Sequence, residues 1–234
     1  DIHHIIVDGT SLNILLEKIS NIYNNQAISA PKIQYKDYSE WILNKDFSAQ
    51  KKYWASQFED EVPMLNIPTD YIRKNVISFE GSEIGLDLSA SIKQRILHVT
   101  QSKGITEYMF FLGALAILLH KYSGQEDLVI GSPVSGRIDQ GTEDQIGVFI
   151  NTLALRLKPE GIKTISGFFG ELKKICLKAY DNQEYPFEEL VGLVVKQRDL
   201  SRNPLFDVLL NVQTRNTNFL KLNGINSVRE VKLD

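Results

Sequence analysis

The chain has 234 residues, enough for one large domain or two smaller ones. Hydrophobic residues make up 43% and charged ones 24%, the balance of a globular protein with a packed core, and a formal charge of −3 without a basic stripe argues against nucleic-acid binding. Cys176 is the only cysteine, which excludes an intramolecular disulfide and fits a reducing, cytoplasmic setting. The longest apolar run, Tyr108 to Leu119, covers twelve residues, short of the ~20 a bilayer needs, and no secretory leader opens the chain. A chain that starts on Asp-Ile-His-His, without Met, reads as a piece of a longer polypeptide.

The first expected element is a strand over Ile2–Val7, whose β-branched residues favour extended backbone. Alternation in such a strand puts His4 on one face with Ile2, Ile6 and Asp8, and His3 on the other. One histidine is then functional and the other structural. Asp8 would lie about 13 Å from His4 along an extended segment, too far for a catalytic triad. It is assigned instead a charge-assisted pair with an arginine from elsewhere, and Gly9 a tight bend or a close approach by substrate.

Thr10 or Ser11 can cap a helix with the stripe Leu12, Leu15, Leu16, Ile19 and Ile22. A loop holding Pro31 leads to a second helical region, Tyr35 to Phe58. Pro63, Pro68 and Gly81 break the pattern, and 69–80 is the natural linker between a domain at 1–68 and one at 81–234. A strand over Ser82–Leu88 follows, then a helix capped by Ser89 and running to about Ser102. The helix over 106–121 is apolar enough to be buried on most sides.

Asp127–Ile130 reads as a core strand and residues 131–137 as a tight loop. The loop's glycine spacing is that of a phosphate-binding loop, but Arg137-Ile138 stands where Lys-Ser/Thr is needed, so no nucleotide site is assigned. A strand over 146–156 puts the Asn151 amide among apolar neighbours, where it needs partners if buried. A helix over 165–181 carries Cys176 on the face of Phe168, Phe169, Leu172 and Ile175, which makes it a core residue. Val208–Val212 is a last core strand, with weaker strand character at Val228–Leu233. The histidines have no metal-binding spacing: His98 and His120 fall in separate helices, and His3 and His4 diverge.

His3-His4 through Asp8-Gly9 resembles the His-His-x-x-x-Asp-Gly signature of the condensation domains of nonribosomal peptide synthetases, which chloramphenicol acetyltransferase-like acyltransferases carry in related form. Four further stretches resemble motifs of that family in the family's order: Tyr35–Trp41, Ile146–Thr152, Asn182–Glu188 and Arg198–Asp207. The resemblance implies an α/β, chloramphenicol acetyltransferase-like two-lobe architecture around a tunnel. Residues 1–68 would end a first, incomplete lobe and 81–234 form most of the second. It also implies that the arginine facing Asp8 lies upstream of this chain, and that the fragment alone is inactive and prone to aggregate.

The implied reaction is amide formation between a donor acyl or peptidyl thioester and an acceptor aminoacyl thioester. Both substrates hang on the phosphopantetheine of carrier proteins, with no cofactor bound directly. By that likeness His4 is the catalytic residue, His3, Asp8 and Gly9 support the motif, and Asn151 faces the substrate channel. The partners implied are upstream donor and downstream acceptor peptidyl carrier domains and an adjacent adenylation domain, with neither nucleic acid nor membrane. An epimerisation domain and a non-catalytic, partner-recruiting relative are the alternatives. Heterocyclisation is disfavoured because it replaces both histidines with aspartates.

Overall fold

The computed structural model describes residues 2–78, 80–139, 141–197, 199–213 and 220–225. Its elements run α1 (Gly9–Tyr23), α2 (Tyr35–Leu43), α3 (Ser48–Gln57), α4 (Ala90–Lys103), α5 (Glu107–Ser123), β1 (Leu128–Val134), β2 (Asn151–Leu157), α6 (Ile165–Asp181) and α7 (Phe187–Val194). They fall into two compact units. Asp1–Asp46, Ser135–Ile150 and Gln213–Asp234 make one, and Phe47–Val134 with Asn151–Val212 the other. The chain passes from the first unit to the second after residue 46 and crosses again on either side of 135–150.

The larger unit is built on two antiparallel strands, paired from Leu128↔Leu157 to Val134↔Asn151. Leu-Val-Ile at the start of β1 and Leu-Ala-Leu inside β2 are buried without alternation, as strands covered on both faces require. α5 packs on β1 and on α6, α6 on β2, and α7 on β2 and α3. Thr106 and Thr164 cap α5 and α6 with their hydroxyls, accepting from Met109 N and Gly167 N. Leu112, Ile130, Leu153, Leu155, Leu157 and Leu172 lie at the centre of the core. Cys176 joins them, fully buried, and burial pushes its thiol up to about 12, which leaves it unreactive. Arg156 ties the sheet to the end of α3: it meets Asp127 at 2.7 Å and donates to Gln57 O at 3.0 Å.

In the smaller unit, α1 and α2 pack with the loop 135–150. Asn24 and Ser20, at the end of α1, hold residues 221–223 through Asn24 Nδ2 to Lys221 O (2.6 Å), Asn223 N to Asn24 Oδ1 (2.8 Å) and Lys221 N to Ser20 Oγ (3.2 Å). Among the described residues no single helix is long and apolar enough to cross a membrane, and no cluster of His, Cys, Asp or Glu has metal-binding geometry.

Several elements differ from the sequence-based expectation. Residues 2–7 form a turn, not a strand: Ile6 N donates to His3 O at 3.2 Å and Ile5 N to His3 Nδ1 at 3.1 Å, so His3 takes the amides a ladder would use. Residues 35–58 are two helices, because the periodicity lapses at Asn44-Lys45-Asp46 and Asn44 caps α2. Residues 82–88 have no strand partner among the described residues, and Ile84 and Leu86 are exposed. α5 buries one face, through Met109, Leu112, Ala116 and Leu119, while Leu118 and Tyr122 face outward.

β1 reaches Val134, through half of the expected tight loop, whereas β2 starts only at Asn151. The 208–212 strand reduces to one parallel bridge, Leu209 with Gly131. The expected strand at 228–233 lies outside the described residues, as does Arg198.

Candidate active site

Asp8 is the N-cap of α1: its backbone is extended, and its carboxylate accepts from Ser11 N at 2.7 Å. The cap is therefore Asp8, two or three residues earlier than the Thr10 or Ser11 expected, and the Ser11 hydroxyl is freed for other work. It donates to Gly147 O at 2.7 Å and accepts from Gly147 N at 3.0 Å. Phe149 N donates to Asp8 Oδ2 at 3.0 Å, and Asp8 N to Gly147 O at 3.2 Å. The segment 147–149 thus lies along the start of α1 as a strap.

Arg137 completes the cradle. Its Nη2 donates to Asp8 Oδ1 at 3.1 Å, Asp8 Oδ2 at 3.3 Å and Ser11 Oγ at 2.7 Å. Its Nη1 donates to the carbonyls of Thr142 and Gln145. The pair is buried, with side-chain exposures of 5% for Arg137 and 0% for Asp8. The guanidinium also lies 4.1 Å from the centre of the Phe149 ring. Gly136, at φ +65°, is obligatory next to it, because a Cβ there would run into the Phe149 carbonyl.

The expected charge-assisted pair therefore exists, but its arginine is not upstream of the chain: it is Arg137, 129 positions after Asp8. The one signal in the sequence was the arginine standing where a phosphate-binding loop would have Lys. Burial alone would raise the Asp8 pKa, but the amides of Ser11 and Phe149, with Arg137, outweigh it and hold the carboxyl below the ordinary range. Both carboxylate oxygens accept two hydrogen bonds each. None is left for an imidazole, so Asp8 anchors the turn and is no member of a triad.

On the turn just before this anchor, His3 and His4 are both exposed. Their expected division between opposite faces of a strand lapses with the strand itself. A different division replaces it: His3 Nδ1 accepts from Ile5 N, while His4 makes no hydrogen bond among the described residues. An exposed imidazole on a turn pinned from behind can exchange a proton with a bound group or orient it. Gly9 is the first residue of α1 and not a tight bend; a Cβ there would meet nothing within 4 Å.

Asn151, in the larger unit, has its amide fully engaged. Nδ2 donates to Gln183 O and Tyr185 O, both at 2.7 Å, and Oδ1 accepts from Thr152 N at 2.8 Å and Phe187 N at 3.2 Å. It joins the start of β2 to the turn between α6 and α7, and so links two of the five sequence motifs. The Arg198–Asp207 stretch is likewise structural where described: Arg202 donates to Leu65 O at 2.8 Å and Asp207 at 3.0 Å.

A profile of the condensation domain matches residues 1–233. Gramicidin S synthase 2 of Brevibacillus brevis is 45% identical over 217 residues, which are 91% of this chain and 5% of that protein. Tyrocidine synthase 3 of Brevibacillus parabrevis is 42% identical over 226 residues, 95% of this chain and 4% of that protein. The chain thus spans about a twentieth of the curated relatives it matches. Among solved structures, a four-domain nonribosomal peptide synthetase bound to AMP and glycine superimposes with a TM-score of 0.81 at 26% identity, over 89% of this chain and 16% of that one. The X-domain from teicoplanin biosynthesis shares the fold, with a TM-score of 0.79 at 22% identity over 89% of this chain and 50% of that one. With its motifs in order and the family profile matched over residues 1–233, the chain belongs to the condensation-domain family of nonribosomal peptide synthetases and has that family's chloramphenicol acetyltransferase-like α/β fold.

Proposed function

We propose that this chain takes part in amide-bond formation between two carrier-bound thioesters, with His4 as the catalytic residue. The acceptor's amine attacks the donor's thioester carbonyl; a C–N bond forms, the C–S bond breaks, and the donor's phosphopantetheine thiol leaves. The amine must lose a proton on the way, and His4 accepts that proton or holds the neutral amine in line. His3 and Asp8 hold the turn, the latter through Arg137. Gly9, whose missing side chain leaves space at the N-terminus of α1, lets the reacting thioester approach. Asn151 braces the β2 and α7 ends and acts on substrate only through that framework.

In this reading residues 1–68 close a first lobe and 81–234 form most of a second. Donor and acceptor carrier domains and an adenylation domain are the partners, in the cytoplasm. The observation that supports the reading best is the contrast within one turn: a carboxylate fully hydrogen-bonded from behind, and an exposed imidazole with no hydrogen bond among the described residues.

The test uses the synthetase that carries this chain, with both carriers loaded. His4→Ala is expected to cut dipeptidyl product by at least about a hundredfold while carrier loading stays unchanged. Product at the parental rate would overturn the assignment. A donor residue inverted but not transferred would move the chain to epimerisation.

A further inference from the structure

We propose that Tyr35 is a positioning residue for the His3–Asp8 turn, acting through the backbone of Gly147–Phe149. The proposal rests on the reading of His4 as the reacting group. Tyr35 opens α2, where the first turn is fixed by Gln34 N donating to Asp37 Oδ2 at 2.8 Å. From there its hydroxyl donates to Val148 O at 2.8 Å, and its ring meets Phe149 edge-on at 5.1 Å. The ring also lies against Gly147 so closely that a Cβ on that residue would fall within it, which explains why glycine stands there.

The far side of the same three residues is what Asp8 and Ser11 are bonded to. Gly147 O takes Asp8 N and the Ser11 hydroxyl, and Phe149 N reaches the Asp8 carboxylate. One peptide layer therefore separates Tyr35 from the anchor of the histidine turn. Burial and then the Asp8 charge raise the pKa of the phenol, which keeps it a donor to Val148 O. A plain packing role fits less well: its ring touches Phe149 and Gly147, yet Tyr35 remains 37% exposed. Its removal should leave the fold standing and let the 147–149 strap shift, carrying Asp8 and the turn with it.

Tyr35→Leu, made in the intact synthetase, is expected to lower kcat for dipeptide formation about a hundredfold with KM for both loaded carriers unchanged, the scale of a displacement near 1 Å at a reacting group. Tyr35→Phe keeps the ring and loses only the hydroxyl, so its effect should be smaller and in the same direction. In both, hydrogen exchange at the amides of residues 3–11 should rise while that of β1 and β2 holds. If Tyr35→Leu does not fold, Tyr35→Phe and Gly147→Ala carry the same two readouts. Parental kcat, or parental exchange at residues 3–11, would overturn the proposal. His4→Ala serves alongside: were it to keep activity, the amide-forming reading would fail, while exchange at residues 3–11 would still decide whether Tyr35 holds the turn.

Discussion

In the unit built on β1 and β2, the buried side chains are Leu112, Leu128, Ile130, Leu153, Leu155, Leu157, Leu172 and their apolar neighbours, with Thr100 and Ser132 as the buried polar residues among those described. In the unit built on α1, α2 and the 135–150 loop the proportions reverse. Asp8, Ser11, Ser20, Thr142 and Gln145 are buried there, and Phe149 is the buried hydrophobic residue among those described. The apolar unit is held by area removed from water, which is non-directional and tolerant of small shifts. The polar unit is held by an ion pair and directed hydrogen bonds, which fix positions but leave costly orphans if a partner is lost. The histidine turn sits on the second kind of support. That suits a group whose position must be set to a fraction of an ångström.

If this contrast holds, the largest single effect should come from the polar side. Asp8→Ala leaves Arg137 buried without its carboxylate, an expected loss of about 3–5 kcal/mol. Leu172→Ala, at the centre of the apolar core, should cost about 2–5 kcal/mol. The two differ in where the damage appears. Segment-resolved hydrogen exchange should show Asp8→Ala loosening residues 3–12 and 137–149, and Leu172→Ala loosening α5, α6 and the strands. Loosening spread evenly over both units by either variant would erase the distinction.

The apolar unit was also the more legible from sequence. Periodicity placed α4, α5 and α6 within a few residues, since each has a hydroxyl N-cap, α5 and α6 carry a stripe that meets the sheet, and α4 packs on α5. The polar unit was misread wherever the decisive bond spans a long stretch of chain. No local pattern tells that Arg137 reaches back to Asp8, or that Ser11 is held by Gly147 rather than capping its own helix. The β-branched run Ile2–Val7 suggested a strand, because propensity cannot say whether a partner strand is present. The motif residues themselves were visible in the sequence. What each one touches was not: Asn151 was expected at a channel and is engaged on every side by backbone.

Acid should separate the units next. The Asp8 carboxyl has a folded-state pKa below that of the unfolded chain, near 3.9 for an ordinary aspartate. Its stabilisation is therefore complete above the unfolded value and is lost as pH falls through the folded one. Denaturation midpoints followed from neutral pH downward should begin to fall near pH 4, with exchange at residues 3–12 rising first. Asp8→Asn cannot titrate, so its midpoint should start lower and change less over the same range. An equal acid slope in both proteins would remove Asp8 from the account.

The smallest effects compare two buried hydroxyls, one in each unit. Ser11 Oγ bridges Gly147 N, Gly147 O and Arg137 across more than a hundred positions of sequence. Ser11→Ala leaves those groups short of a partner with little water near, an expected cost of about 1–3 kcal/mol. Thr100, also a buried residue, has its Oγ1 bonded back to Leu97 O within its own helix, at 2.9 Å. Thr100→Val keeps the side chain's shape and leaves the helix ladder to serve that carbonyl, so the change should stay within about 0.5 kcal/mol. Urea melts of the two variants, side by side, give the comparison directly. A Thr100→Val loss as large as that of Ser11→Ala would mean that burial alone sets the value of a hydroxyl here, and that the polar unit is not held differently from the apolar one.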